Sequence, residues 1–310
     1  MSKLTLPQPT IHLSMIIQLR NYICFFCIFI FNTVAAQSQQ VNSEINETSK
    51  ADESSYCKFS IAYLSNSVYY GRKDSAVVPY ATPTFRYTNK TGLYAEASLS
   101  YLSNSESRID LGYIGAGYKV DNKDSTVELE VYANKYFTNS SSYSVKSALK
   151  ADAGAGVSLD AGFLKFNVEL YSIFSAKTDF TTSFGIEKDV NFGEDENWTF
   201  SPSAMVGIGT SNFYSTYFKD KKFSVKRKKR TPVVPAGTVI TVNVEKQKIG
   251  LLDYELSAPL EYESKRFGFF LTPVYVVPVN PVKYTINNSA PITEKLTNSF
   301  FVEIGAFIKF

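Results

Sequence analysis

Along the stretch from Ser299 to Phe310, apolar residues fall at every second position. Phe300, Val302, Ile304, Ala306, Ile308 and Phe310 form one row, and Phe301, Glu303, Gly305, Phe307 and Lys309 form the other. Side chains of a strand point alternately to opposite faces, so a period of two with one wholly apolar row reads as a strand with one face withdrawn from water. Chain ends fray unless they are tied down. An apolar strand running to an aromatic carboxyl terminus therefore predicts an end held inside a sheet.

The same period recurs upstream, in 57–70, 79–88, 93–103, 108–120, 126–137, 147–159, 163–175, 180–192, 198–211, 249–263 and 266–279, with 299–310 the last of the set. In 93–103, Leu93, Ala95, Ala97, Leu99 and Tyr101 alternate with Tyr94, Glu96, Ser98 and Ser100. In 126–137, Val127, Leu129, Val131 and Ala133 oppose Glu128, Glu130, Tyr132 and Asn134. In 249–263, Leu252, Tyr254, Leu256, Ala258, Leu260 and Tyr262 oppose Asp253, Glu255, Ser257, Glu261 and Glu263. Composition agrees: 24 Phe, 21 Tyr and a mean hydropathy of −0.11 suit many strands and argue against a bundle of apolar membrane helices. Pro83, Pro202, Pro259 and Pro273 fall inside these segments, where a missing N–H predicts bulges or strand ends. Lys188 falls in an apolar row, a placement that suits a strand end.

The connections alternate in length. Asn89–Gly92, Asp121–Ser125, Asp160–Gly162, Gly193–Asn197 and Glu263–Lys265 are short and built of turn-forming and charged residues, whereas 71–78, 138–146, 212–248 and 280–298 are longer. Short segments of alternating hydropathy, joined in this way and closed by a strand ending in Phe, resemble the outer-membrane β-barrel proteins of Gram-negative bacteria. The resemblance implies an all-β fold over 57–310, a transmembrane up-and-down antiparallel β-barrel of about 12 strands in the cell outer membrane. It implies that the short turns are periplasmic and the long loops external. It further implies that Phe310 is a signal read by the barrel-assembly machinery, and that the partners are outer-membrane lipid and lipopolysaccharide.

An export segment precedes the barrel. The apolar run from Asn21 to Phe31 follows Arg20, is short for a membrane span, and is followed by Val34, Ala35 and Ala36, so cleavage is expected between Ala36 and Gln37. Residues 1–36 are thus a signal peptide, with Met15 an alternative start that makes 1–14 a mis-called extension; an uncleaved anchor helix is the competing reading. Polar residues 37–56 read as a flexible leader. Cleavage removes Cys24, Cys27 and His12, leaving Cys57 as the lone cysteine and no histidine. An intramolecular disulfide and imidazole metal sites are excluded, and no cofactor is expected. Outer-membrane barrel hydrolases and acyl transferases rely on histidine, so the resemblance and composition together predict a protein that is not an enzyme. A carboxylate-pair hydrolase through Asp253, Glu255 and Glu261 stays open as a lesser reading.

Residues opposite the apolar rows are expected to line the lumen. They include Glu96, Glu128, Glu130, Asp152, Glu187, Asp189, Asp253 and Glu255, with Arg86, Lys150 and Lys165 as bases. Asp110, Glu169, Glu261, Glu303 and Lys309 belong to the same rows. Acids outnumber bases, and an acidic tube concentrates cations, so a narrow cation-preferring channel is expected. Gly154, Gly156, Gly207 and Gly209 are expected to leave it lumen space. The alternative is a closed structural or surface-interaction barrel filled by its own paired charges. The longest loop carries Lys219, Lys221, Lys222, Lys226, Arg227, Lys228, Lys229 and Arg230 against Asp220. There Lys226–Arg230 are candidates to grip lipopolysaccharide phosphates, followed by an alternating 238–244 stretch expected to form an outward hairpin. Sparse aromatic interleaving argues against nucleic acid.

Overall fold

The computed structural model describes residues 54–74, 76–103, 108–122, 124–218, 242–244, 248–286 and 290–310. The expected signal peptide, nearly all of the expected leader, the basic run Lys226–Arg230 and residues 238–241 lie outside them. Each alternating segment pairs antiparallel with the next. The staves are β1 (Tyr56–Leu64), β2 (Tyr80–Thr88), β3 (Leu93–Leu102), β4 (Arg108–Asp121), β5 (Val127–Thr138), β6 (Ala151–Asp160) and β7 (Lys165–Phe174). They continue as β8 (Thr178–Glu187 and Val190–Phe192), β9 (Trp198–Phe200 and Ser203–Gly209), β10 (Gly250–Ser257 and Leu260–Glu263), β11 (Phe267–Pro278) and β12 (Ser299–Lys309). β12 pairs with β11 on one side and β1 on the other, so the sheet closes into a 12-strand antiparallel barrel, as the periodicity predicts. The terminal residue completes the seam: Cys57 N–H donates to the Phe310 carbonyl at 2.8 Å and Phe310 N–H to the Cys57 carbonyl at 2.9 Å.

The alternation sorts the faces. Phe59, Ile61 and Tyr63 of β1, Leu129 and Val131 of β5, Tyr254 and Leu256 of β10 and Phe300, Ile304 and Ile308 of β12 are exposed on the outside. Their neighbours in sequence face inward and are buried or half-buried, as at Tyr94, Glu130, Asp152 and Glu303. Leu252 departs from the expected outward row. A bulge between Gly207 and Ile208 gives β10 an extra residue there, and Leu252 is buried.

Three staves are broken, and the breaks lie side by side. Pro202 interrupts β9, Pro259 interrupts β10, and β8 breaks at Lys188 and Asp189. Across them Lys188 N–H donates to the Pro202 carbonyl, Ser201 N–H to that of Pro259 and Ala258 N–H to that of Pro273. A proline cannot donate to a ladder, and a closed barrel has no edge to hide the gap. Placing each proline against its neighbour's interruption confines the lost rungs to one line. Pro83 is accommodated in β2, where the ladder to β3 skips from Ala81 to Thr84. Lys188 sits at the short-turn end, its Nζ donating to the Gly162 carbonyl at 2.9 Å.

The inward glycines do not leave open space. A Cβ on Gly154 would stand 2.7 Å from the Tyr132 ring, one on Gly117 2.4 Å from Tyr94, and one on Gly305 2.5 Å from Phe270. Each glycine is the cross-strand partner of the residue whose ring covers it. A flat ring over a bare Cα fills the concave wall without forcing the staves apart. Gly156 differs, with its nearest Cβ neighbour at 3.8 Å.

At the opposite end from the short turns, the long connections fold over and into the barrel. The first segment stops at Leu64 rather than running to residue 70, and Val68–Tyr69 pairs with Arg72–Lys73 in a tight hairpin whose central Tyr70 and Gly71 have φ of 46° and 68°. That turn requires left-handed backbone, which glycine adopts readily. Val145–Ala148 forms a single 3-10 turn ahead of β6, and Asn212–Tyr217 forms a short helix, α1. Most of the expected outward hairpin at 238–244 lies outside the described residues; in its described part Val242–Val244 pairs with Lys283–Ile286, which in turn pairs with Ile292–Thr293. The third connection is thus bound to the last one, because an alternating strand takes whichever edge is within reach.

Replacing Gly268 with Ala places a Cβ 2.3 Å from the Phe307 ring and 2.5 Å from the Tyr262 carbonyl oxygen. Overpacking of this kind costs about 1–3 kcal/mol, so the variant should lose heat-modifiable gel mobility at a lower temperature than wild type. Gly156→Ala should stay within about 0.5 kcal/mol of wild type.

Candidate functional site

Most inward charges are paired within the wall. Arg86 on β2 lies 3.8 Å from Glu96 on β3 and 3.9 Å from Glu130 on β5, with its guanidinium 3.7 Å from the Tyr94 ring centre. Tyr113 donates to Glu96 at 2.8 Å and Tyr94 donates to Glu130. Lys165 on β7 reaches Asp189 at 2.5 Å and Glu187 at 3.7 Å. Glu128 pairs at 2.9 Å with Lys119, a base that the less regular 108–120 pattern had hidden. Asp152 accepts from Asn134 at 2.9 Å and from the Tyr136 hydroxyl. Lys150, expected on the inner row, lies just ahead of β6 and is exposed. Phe310 carries its side chain exposed beside the seam.

The loops supply a plug that sequence periodicity did not foresee. Phe213, Tyr214, Tyr217 and Phe218 of α1 and its end pack in one buried cluster with Tyr113, Tyr136, Ile173, Val145, Leu149 and Val282, so loop residues meet wall residues of β4, β5 and β7. Asp179 at the start of β8 holds the helix start. Its carboxylate accepts from the Asn212 N–H at 2.6 Å, the Phe213 N–H at 2.7 Å and Thr210 Oγ1 at 2.5 Å, the role an N-cap side chain ordinarily plays. Tyr217 donates to Asp74 and to the Tyr143 carbonyl, and Tyr214 donates to Glu294. Arg72, 1% exposed, donates to the carbonyls of Val279 at 2.8 Å and Asn280 at 2.7 Å and lies 3.8 Å from Glu294. Four connections are thereby tied together. The dense aromatic run Phe213, Tyr214, Tyr217 and Phe218, in a loop otherwise rich in charge, was the available signal.

Inside the barrel, next to this plug, lies a cavity of about 80 Å³ whose lining includes Tyr70, Tyr132, Tyr171, Lys146, Asp253 and Glu255. A smaller one of about 20 Å³ shares Tyr132 and Tyr171 and adds Glu128, Glu130 and Glu169. Neither Asp253 nor Glu255 accepts a hydrogen bond or forms an ion pair among the described residues. Asp253 is nonetheless only 5% exposed. Gly207, expected to leave space, is covered by Asp253 and the Tyr70 ring, whose atoms would stand 2.5 and 3.1 Å from a Cβ there. A Cβ on Gly209 would likewise stand 2.5 Å from the Phe180 carbonyl oxygen. Asp253, Glu255 and Glu261 do not all meet in one place: the first two line the cavity, whereas Glu261 lies beyond the β10 break at Pro259. Among the described residues no group of three or more His, Cys, Asp or Glu side chains is placed to hold a metal ion.

Comparison with known proteins finds fold likeness without sequence kinship. No family model matches the chain, and no curated protein matches it. Similar solved structures include a KdgM porin (8% identity, TM-score 0.44, covering 82% of this chain and 99% of that one). A NanC porin is similar at 11% identity and TM-score 0.44, covering 82% and 100% of the respective chains. LpxR from Salmonella typhimurium is similar at 9% identity and TM-score 0.44, covering 81% and 99%. Likenesses at this level fix neither solute nor activity.

Lys146, in the 3-10 turn, is 3% exposed, and burial pushes its ammonium down to about 8 while Asp152 and Glu303 pull it back up. Below that pH the amine is charged in folded and unfolded chains alike and the burial penalty is fully present. Between it and the ordinary lysine value of 10.5, the folded chain gives up its proton first, so the unfolded chain binds more protons and stability rises with pH. At about 1.4 kcal/mol per pKa unit, wild type should gain a few kcal/mol on Lys146→Met across that window, measured by thermal unfolding in detergent. A flat difference would mean that the amine is not buried as a charge.

Proposed function

We propose that the protein is an integral outer-membrane barrel that its own loops hold shut, and that it works as a narrow, gated, cation-preferring channel. The aromatic plug over a lumen that keeps unpaired carboxylates carries this reading. A closed ring with apolar rows outside satisfies every ladder group internally, which is what a strand needs in hydrocarbon. Burying a large apolar side chain contributes about 1.5–3 kcal/mol, so the side chains of Phe213, Tyr214, Tyr217 and Phe218 together make the shut form dominant at rest. Asp253 and Glu255 supply an acidic field for whatever passes when the plug moves. The paired wall charges at Arg86, Lys119 and Lys165 favour a second reading, a permanently closed surface barrel. Neither reading assigns catalysis.

Planar-bilayer recording separates the two. Wild type should be silent or open rarely, and Phe213→Ala with Tyr217→Ala should conduct steadily with cations favoured. Adding Asp253→Asn and Glu255→Gln should erase that preference. A plug variant that stays silent supports the closed barrel, and a wild type as open as the variant overturns the gate.

The basic run Lys226–Arg230 lies outside the described residues, and we propose for it contact with lipopolysaccharide phosphates. Screening lengths fall from about 10 Å at 0.1 M salt to about 3 Å at 1 M, so such binding should weaken steeply over that range. Replacing all five with Gln should abolish it while leaving heat-modifiable mobility intact. Binding that survives 1 M salt, or that the Gln variant retains, would exclude the electrostatic grip.

A further inference from the structure

The larger cavity combines features that suit one class of ligand. Asp253 presents a carboxylate that is more than nine-tenths buried and has no hydrogen-bond donor or ion-pair partner among the described residues, and Glu255 lies one inward position further along β10. An ionised carboxylate left in this state is costly, so the site either takes up a proton or accepts a positive group from outside. Two bases stand near: Arg72 donates to the Val279 and Asn280 carbonyls, lies 3.8 Å from Glu294 and also acts on Asp253 through space, and Lys146 lines the same cavity 4.6 Å from the Tyr69 ring centre; neither is in ion-pair contact with Asp253 or Glu255 among the described residues.

Much of the remaining wall is aromatic, with Lys146, Asp152, Asn134 and Ser183 among its polar members. The ring centres of Tyr70 and Tyr132 lie 6.4 and 6.1 Å from that of Tyr171. Tyr70 hydroxyl bonds to Thr181 Oγ1 at 2.9 Å and Tyr171 hydroxyl donates to Glu169, so these tyrosines offer the cavity ring surface more than hydroxyl groups. Ring faces attract cations, most strongly when water is excluded. The Lys146 and Tyr69 pair shows that contact already made on the same wall. About 80 Å³ has room for a molecule of a few heavy atoms with some water. A bare metal ion fits less well, because the described carboxylates are not grouped as a ligand set.

We propose that this cavity is a binding site for a small alkylammonium ion, held by Asp253 and Glu255 against the rings of Tyr70, Tyr132 and Tyr171. The smaller cavity that shares Tyr132 and Tyr171 adds the carboxylates of Glu128, Glu130 and Glu169 beside it. The site rests on the acidic lumen of the channel reading but not on its gate, since binding needs no conduction.

The test uses the folded barrel in detergent, titrated with methylammonium chloride against potassium chloride at equal ionic strength. Binding is read by saturation transfer to the methyl protons and by calorimetry. Methylammonium should bind saturably and potassium should displace it poorly. Asp253→Asn with Glu255→Gln should weaken binding at least about tenfold, on the scale of one lost charged contact, whereas Lys265→Gln, exposed in a short turn, should bind as wild type does. Should the double variant lose heat-modifiable mobility, Tyr132→Leu takes its place and is expected to weaken methylammonium severalfold. Absence of saturable binding, an equal response to potassium, or undiminished binding by a folded variant overturns the site. A barrel that binds methylammonium but never conducts keeps the site and overturns the channel. One that conducts cations without binding overturns the site alone.

Discussion

Everything in this molecule depends on the ladder between its first and last staves. Lys58 to Leu64 pair with Lys309 to Glu303, and the rungs at Cys57 and Phe310 extend that seam to the chain terminus. A sheet left open there would expose two rows of unpaired N–H and C=O groups, which neither water-poor surroundings nor an apolar face can satisfy. Once it closes, each stave has two neighbours and the two faces have unequal lives. The outer face is unlimited, but the inner face is a small concave volume that must be filled.

The interior fill follows from that shortage of room. Flat rings over glycines line the wall at Tyr94 over Gly117, Tyr132 over Gly154 and Phe270 over Gly305. These pairs take the place of the bulky layers that fill a narrower barrel. What they leave is taken by the long connections, whose aromatic residues find in the mouth the burial that a loop in solvent cannot reach. The prolines follow the same logic. A closed ring tolerates missing donors best where they lie together, and Pro202, Pro259 and Pro273 fall within one rung of one another across β9, β10 and β11.

Electrostatics inside the ring are balanced locally rather than in total. Arg86 serves Glu96 and Glu130, Lys165 serves Glu187 and Asp189, and Lys119 serves Glu128, each within about one stave's width of its partner. Arg72 and Lys146 arrive from the loops and offset part of the acidity read from the strands alone. Asp253 and Glu255 stand outside these arrangements. Their position beside a void, with bases near but none in ion-pair contact among the described residues, distinguishes them from acids that only support the wall.

Strand identity, the inward and outward rows, the number of staves and the closing role of the terminal strand were all legible, because a period of two is a local property that survives in any sheet. Glu96, Glu130, Asp152 and Asp253 could be assigned to the inner face by parity alone. Parity failed at Leu252, where a bulge shifts the count, and at 65–70 and 147–150, where left-handed turn residues and a 3-10 turn replace extended chain. What the lumen contains was decided only by tertiary structure. A glycine on the inner row reads as empty space until the ring of its cross-strand neighbour is placed over it, and an aromatic loop reads as solvent-facing until the mouth it fits has been formed. The rows were set by residues two apart in the chain, whereas the plug, the split of bases among acids and the unpartnered carboxylates were set by residues up to more than two hundred positions apart, as Arg72 and Asn280 are. Burial and pairing at such separations follow from closure of the ring, which no local pattern encodes.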